Sequence, residues 1–261
     1  MLSAVTSPRK VKSPKMRSIL VTGSNRGLGL GLIRHLTKRP GTAKIFATCR
    51  NAAKAEELQE IAEKSGKVHI IEIDLLDSKN YKIIVDKVER EVGDKGLNVL
   101  FNNAGVSSKF TRLGIVKESQ IIEAFQINTV APILLTKALL PLLKKAAKYS
   151  QLNGLSIEKA AVINMTSVLG SITENETGGF YPYRCSKAAL NAATKSMSLD
   201  LKPDHILVTC IHPGWVKTDL GGSNAPMDVN SSVTAILNTL ESLSEKHNGC
   251  FLQYDGQFLP W

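Results

Sequence analysis

Tyr183 and Lys187 stand four residues apart in a segment of helical period, so their side chains share a face about one turn apart. With five tyrosines in the chain and about one residue in eleven a lysine, chance gives roughly 0.4 such pairs, so spacing alone carries little. Placement carries more. An apolar run ending Asn164-Met165-Thr166-Ser167 precedes the pair by about sixteen residues, and in open α/β sheets ligands sit beyond the carboxyl ends of strands. A free tyrosine titrates near 10 and is a poor acid–base group at neutral pH. An ammonium ~4 Å away, at an effective dielectric of ~20, supplies about 4 kcal/mol, enough to bring that pKa down by up to roughly three. Tyr183 is thus the expected proton donor to a reacting oxygen, and Ser167 a hydroxyl that would stabilise charge developing there. Tyr181 has the uncharged Cys185 at the equivalent spacing and is expected at most to line the pocket.

Where such a donor serves a reduction, a hydride must come as well, and the other end of the chain offers a place to hold its carrier. The first apolar run leads into TGSNRGLGLG (22–31), with a helical pattern directly after it. Gly23 permits the tight strand-to-helix turn, Gly27 lets backbone approach a pyrophosphate, and Gly29 lets the helix pack closely on the sheet. The helix N-terminus, reached through Asn25, Arg26 and Leu28, presents free N–H groups to phosphates. An NAD site carries Asp or Glu at the end of the second strand. Here that strand ends Ala47-Thr48-Cys49-Arg50, and the next acid is Glu56. Arg50 and Arg26 can pair with a 2′-phosphate that a carboxylate would repel, so the expected cofactor is NADP(H). Asp74-Leu75, ending the third apolar run, either meets the adenine or starts a helix; the residues leave both open.

These groups need a scaffold. Apolar β-branched runs at 18–22, 44–48, 68–73, 97–101, 160–165 and 205–211 alternate with helical patterns. Those patterns cover Leu28 to Lys38, Ala52 to Lys64, Lys79 to Val92, Ser119 to Leu143, Tyr183 to Leu201 and Val229 to Leu243. Runs apolar on both faces, alternating with helices, predict a doubly wound parallel sheet of Rossmann type, helices on both sides, in one domain over 17–261. A short strand near Cys250 to Leu252 closes it, and Lys148 to Lys159, with Asn153-Gly154, reads as a surface loop.

Composition excludes other classes. With 43% hydrophobic and 21% charged residues the chain is not mainly disordered. The most apolar stretch, around Ala131 to Leu143, is interrupted by Pro132, Thr136, Lys137 and Pro141, and no unbroken run reaches the ~18 residues of a membrane span. The four cysteines (Cys49, Cys185, Cys210, Cys250) lack metal-ligand spacing, so no metal is expected, and His212 is expected to be structural. Half of the net charge of +10 sits in residues 1–17, which hold five basic residues and no acid. Residues 1–16 read as a flexible basic arm, with Pro8 and Pro14 arguing against the amphipathic helix of a mitochondrial signal, so cytoplasmic placement is expected. The body shows no basic helix interleaved with aromatics, which argues against a nucleic-acid partner.

TGSNRGLG (22–29), NNAG (102–105), Asn128, Ser167, YRCSK (183–187) and HPGWVKT (212–218), in that order, resemble the short-chain dehydrogenase/reductase family over residue 17 to the end. GSNRGLGLGL, FATCRN and the terminal YDGQFLPW are similar to its Sniffer-type, or C-factor-like, carbonyl reductases. The resemblance implies that Lys187 also grips the nicotinamide ribose and that Asn128 orders a proton-passing water. It implies that Asn103, Ala104 and Gly105 support the cofactor, and that Pro213, Gly214, Val216 and Thr218 fix the nicotinamide. It further implies a homodimer or homotetramer. The activity expected is NADPH-dependent reduction of a ketone, aldehyde or quinone. Alternatives are a pterin, steroid, retinoid or acyl-thioester substrate, or a silent NADP(H)-binding regulator, although such a regulator would be expected to have lost Ser167, Tyr183 or Lys187. Substrate choice would fall to Val106 to Ile115, Ser171 to Pro182 and Lys217 to Asp228, whose Phe110, Ile172, Phe180, Tyr181 and Trp215 suit an apolar carbonyl compound.

Overall fold

The computed structural model describes residues 16–108 and 110–261. Ile19 and Val21 point to one side of strand β1 (Ser18–Val21) and Leu20 to the other, and none of the three is exposed. Such a strand must be covered on both faces. The same holds for β4 (Val99–Asn102), β5 (Ala160–Met165) and β6 (Ile206–His212). With β2 (Lys44–Cys49), β3 (Val68–Glu72) and β7 (Phe251–Gln253) they form a seven-stranded sheet of order β3-β2-β1-β4-β5-β6-β7. Every pairing in it is parallel.

Helices α1 (Gly27–Lys38), α2 (Glu56–Ser65) and α7 (Val229–Ser242) cover one face through Leu36, Leu58 and Ile236. The other face receives α3 (Tyr81–Val92), α5 (Ala131–Tyr149) and α6 (Tyr181–Asp200), with Ile84, Leu139 and Leu142 in its core. The fold is thus the expected doubly wound α/β sheet. After β3 the chain returns to the other side of β1, and this reversal opens a crevice between the ends of β1 and β4.

Two features differ from the sequence reading. The fourth helical pattern extends through Tyr149, running as α4 (Glu118–Phe125), a π-helical turn (Gln126–Val130) and α5, which passes through Pro141. By length and composition the run Glu118–Tyr149 is apolar enough to cross a membrane, but half of its most apolar window is buried in the fold. The expected surface loop 148–159 tucks Leu155 and Ile157 into the core, and the Lys159 ammonium turns back to the Leu152 carbonyl (2.7 Å). The expected arm lies outside the described residues except for Met16, which is buried against the core.

Candidate active site

The glycine turn is stitched to the end of β4. The Thr22 hydroxyl accepts from the N–H groups of Asn103 and Ala104 (both 3.0 Å), and the Asn103 amide donates to Thr22 O (2.8 Å). Gly29 sits so close to this junction that a methyl group there would collide with the Gly23 carbonyl oxygen and the Asn103 amide. Gly23 and Gly27 hold left-handed backbone (φ +66° and +54°), which side chains resist. No side chain caps the start of α1 at Arg26, so its first N–H groups face the crevice.

The crevice widens into a cleft of about 390 Å³ running from Arg50 and Asp74 at one end to Tyr183 and Lys187 at the other. Gly23, Asn25, Arg26, Gly27, Leu28, Gly29, Leu75, Asn103, Ala104, Gly105, Pro213 and Thr218 line it as well. Gly214 and Val216, also expected at the cofactor, are not lining residues; Val216 is buried, bridges to Met227, and its carbonyl accepts from the Thr218 hydroxyl (3.4 Å). The long, glycine-floored shape and the free helix N-terminus fit a dinucleotide with its pyrophosphate at α1. Arg50 is exposed at the rim, whereas Arg26 is engaged by Asp219 (2.7 Å), a lining residue the sequence did not single out. Asp74 accepts from the Leu76 N–H (3.0 Å), so it starts the following turn while its residue lines the cleft.

At the other end α6 is keyed to β5 by buried polar pairs. Asn164 donates to Thr194 (2.9 Å), Thr166 donates to Asn191 (2.6 Å), and the Lys187 ammonium donates to Met165 O (2.8 Å). Tyr183 and Lys187 therefore face the sheet end together, both buried, with Nζ 5.8 Å from the phenol ring centre. The Ser167 hydroxyl stands close enough to the phenol to favour its charged form, and it accepts from the Leu169 N–H (3.2 Å). Tyr181 does not line the cleft.

The expected electrostatics need correction. Burial pushes the Tyr183 phenol up to about 12, the nearby Ser167 hydroxyl offsetting part of this, and pulls Lys187 down to about 8. The lysine does not lower the phenol as expected, because desolvation outweighs attraction and the ammonium is directed at a carbonyl. The Tyr183 phenol consequently keeps its proton at neutral pH. His212 is mostly buried, with Nδ1 unpartnered, and burial pulls it down to about 4, so it stays neutral.

Asn128 sits in the π-helical turn. Its amide nitrogen donates to Val106 O (2.9 Å) and Ser186 Oγ (3.0 Å), and its oxygen accepts from Val106 N (2.9 Å). Both amide hydrogens are spent, so the side chain clamps the β4 loop to α6 and keeps spare capacity only at its oxygen. Ser186, Asn191 and Thr194 were not singled out in the sequence; their signal is only a polar residue on an otherwise buried helix face.

A family described as short chain dehydrogenase matches residues 17–228. The structure is similar to the carbonyl reductase Sniffer of D. melanogaster, with 51% identity and a TM-score of 0.93 over 94% of this chain and all of that one. An NADPH-bound carbonyl reductase from chicken fatty liver shares 39% identity and a TM-score of 0.90, over 95% of this chain and all of that one. The C-signal protein of Myxococcus xanthus is 40% identical over 165 residues, 63% of this chain and 93% of that protein. The chain belongs to the short-chain dehydrogenase/reductase family.

Proposed function

We propose that this chain reduces a ketone, aldehyde or quinone to the alcohol, with NADPH as cofactor and Tyr183 as proton donor. One observation carries the reading: the buried Tyr183 phenol and Lys187 share a single cleft with the glycine turn. The likeness to two carbonyl reductases, one of them NADPH-bound, supports it.

Gly23 to Gly29 and the start of α1 would hold the pyrophosphate, Arg50 and Arg26 the 2′-phosphate, and Lys187 the nicotinamide end. When bound, the reduced nicotinamide supplies the hydride. Tyr183 gives its proton to the substrate oxygen, and Ser167 stabilises the negative charge gathering there. A phenol near 12 keeps its proton at neutral pH until a substrate oxygen takes it.

The test is an NADPH-oxidation screen across quinones, aromatic aldehydes, diketones and steroids, run beside Tyr183→Phe. Wild type should turn over at least one class, and the variant should lose about two to four orders of magnitude in kcat while binding NADPH as before. A variant as fast as wild type would remove Tyr183 from the chemistry.

A further inference from the structure

The terminal segment 254–261 shares no residue with the cleft, yet it touches two active-site turns. At its start, the Tyr254 ring lies against Gly214 (φ +85°), where an added methyl group would stand 3.2 Å from the ring. Its course is then fixed by bonds of Gln253 N to Gln257 O (2.8 Å) and Leu259 N to Phe251 O (2.8 Å). At its end, Trp261 stacks on the buried Phe251, with 5.6 Å between ring centres. The buried Ser171 hydroxyl shares its proton between Pro260 O (2.8 Å) and Trp261 O (3.1 Å), and the Thr173 N–H donates to Trp261 O (3.0 Å).

Ser171 opens the loop that connects Ser167 to Tyr183. The near end of this loop is a short turn, Val168–Gly170, where a methyl group on Gly170 would press into the Lys187 backbone. Its far end is Phe180, held at φ +50° as the residue before α6 and packed edge-on to Phe110 at 4.8 Å. Between them, Ile172 and residues 173–177 are exposed, and the Thr177 hydroxyl is tied to Arg184 (3.0 Å). The tail therefore anchors the first exposed stretch of a loop whose two ends carry the hydroxyl and the phenol.

We propose that residues 254–261 form a strap and that Trp261 is a positioning residue for the substrate: acting through Ser171, it holds loop 171–180 in the shape that seats the carbonyl compound. The proposal rests on the reductase reading above and adds to it the segment that shapes the substrate side.

The test uses Trp261→Ala, Trp261→Phe and Ser171→Ala in the full chain. In Trp261→Ala, amide hydrogen exchange at Thr173 and Glu174 should quicken about tenfold, since both N–H groups bond into the Ser171–Trp261 junction. KM for a carbonyl found in the screen should rise about five- to tenfold, with kcat and NADPH affinity within about twofold of wild type. Trp261→Phe keeps a stacking ring and should restore KM. Ser171→Ala should reproduce the effect, and the double variant should be no worse than either single one. Unchanged exchange, or parallel losses in kcat, KM and NADPH affinity, would overturn the proposal. A wild type that oxidises no NADPH would instead defeat the reductase reading, and the exchange rates alone would then show whether Trp261 holds the loop.

Discussion

Burial moves Tyr183 and Lys187 toward neutrality from opposite sides, one up to about 12 and the other down to about 8. For the lysine, a fall from 10.5 to about 8 means that the fold bears about 3 kcal/mol against its charged form. The sign follows from proton counting. Between pH 8 and 10.5 the unfolded chain binds a proton that the folded chain does not, so this residue's contribution to stability rises across that window; below pH 8 the whole penalty is present. Lys187→Met keeps the volume and removes the charge, at the loss of one hydrogen bond to Met165 O. Its unfolding free energy in urea should be about 1–2 kcal/mol above wild type at pH 7, and the gain should vanish by about pH 10.5. Turnover in the same variant should collapse. A variant less stable than wild type at pH 7 would mean that the ammonium is held by more than the carbonyl it faces. Spacing together with placement after an apolar run brought Tyr183, Lys187 and Ser167 into view, but neither could show that desolvation, which depends on everything packed around the helix, would govern both titrations.

The glycine turn and α6 are the two elements that set the geometry. In the turn, a methyl group at Gly29 must displace both the Gly23 carbonyl and the Asn103 amide, and both belong to the stitch between β1 and β4. Gly29→Ala is therefore expected to fold with a distorted crevice, losing at least about tenfold in NADPH affinity by fluorescence titration, with a thermal midpoint several degrees lower. Wild-type affinity in that variant would show that the junction gives way without cost to the site. The turn was legible because its chemistry is local: three glycines between a buried strand and a helix have few other uses. The polar keys of α6 were not. Asn191 and Thr194 acquire meaning only when β5 places Thr166 and Asn164 opposite them, a pairing across 25 and 30 residues that no periodicity encodes. The π-helical turn escaped for a similar reason, since the bonds from Asn128 to Val106 and Ser186 hold the bulge against the regular helix on either side. The stretch 148–159 reads as a surface loop because its polar residues outnumber Leu155 and Ile157, yet those two tie it to the core.

Across the whole molecule, the cleft draws its lining from residue 23 to residue 220, so a dinucleotide bound there ties both halves of the sheet to one ligand. Binding that requires the complete fold must stabilise the complete fold. At one hundred times its dissociation constant NADPH should add about 2.7 kcal/mol, which for a domain of this size raises the thermal midpoint by about 5 to 10 °C. NADH offers the same pyrophosphate and rings without the 2′-phosphate, so at equal concentration its shift should be much smaller. On the function proposed above, the difference would belong to two exposed cations: Arg50, and Arg26, which would have to exchange Asp219 for the phosphate. Because that ion pair is solvent-exposed, its rupture should cost at most about 1 kcal/mol, less than a charge-assisted bond to phosphate returns. Replacing both arginines by alanine should then bring the NADPH midpoint shift down to that of NADH and leave the NADH shift as it was. Thermal melts of wild type and the double variant with each cofactor decide the matter: equal losses for the two cofactors would mean that the arginines serve the pyrophosphate or the fold, and that 2′-phosphate recognition lies elsewhere in the cleft.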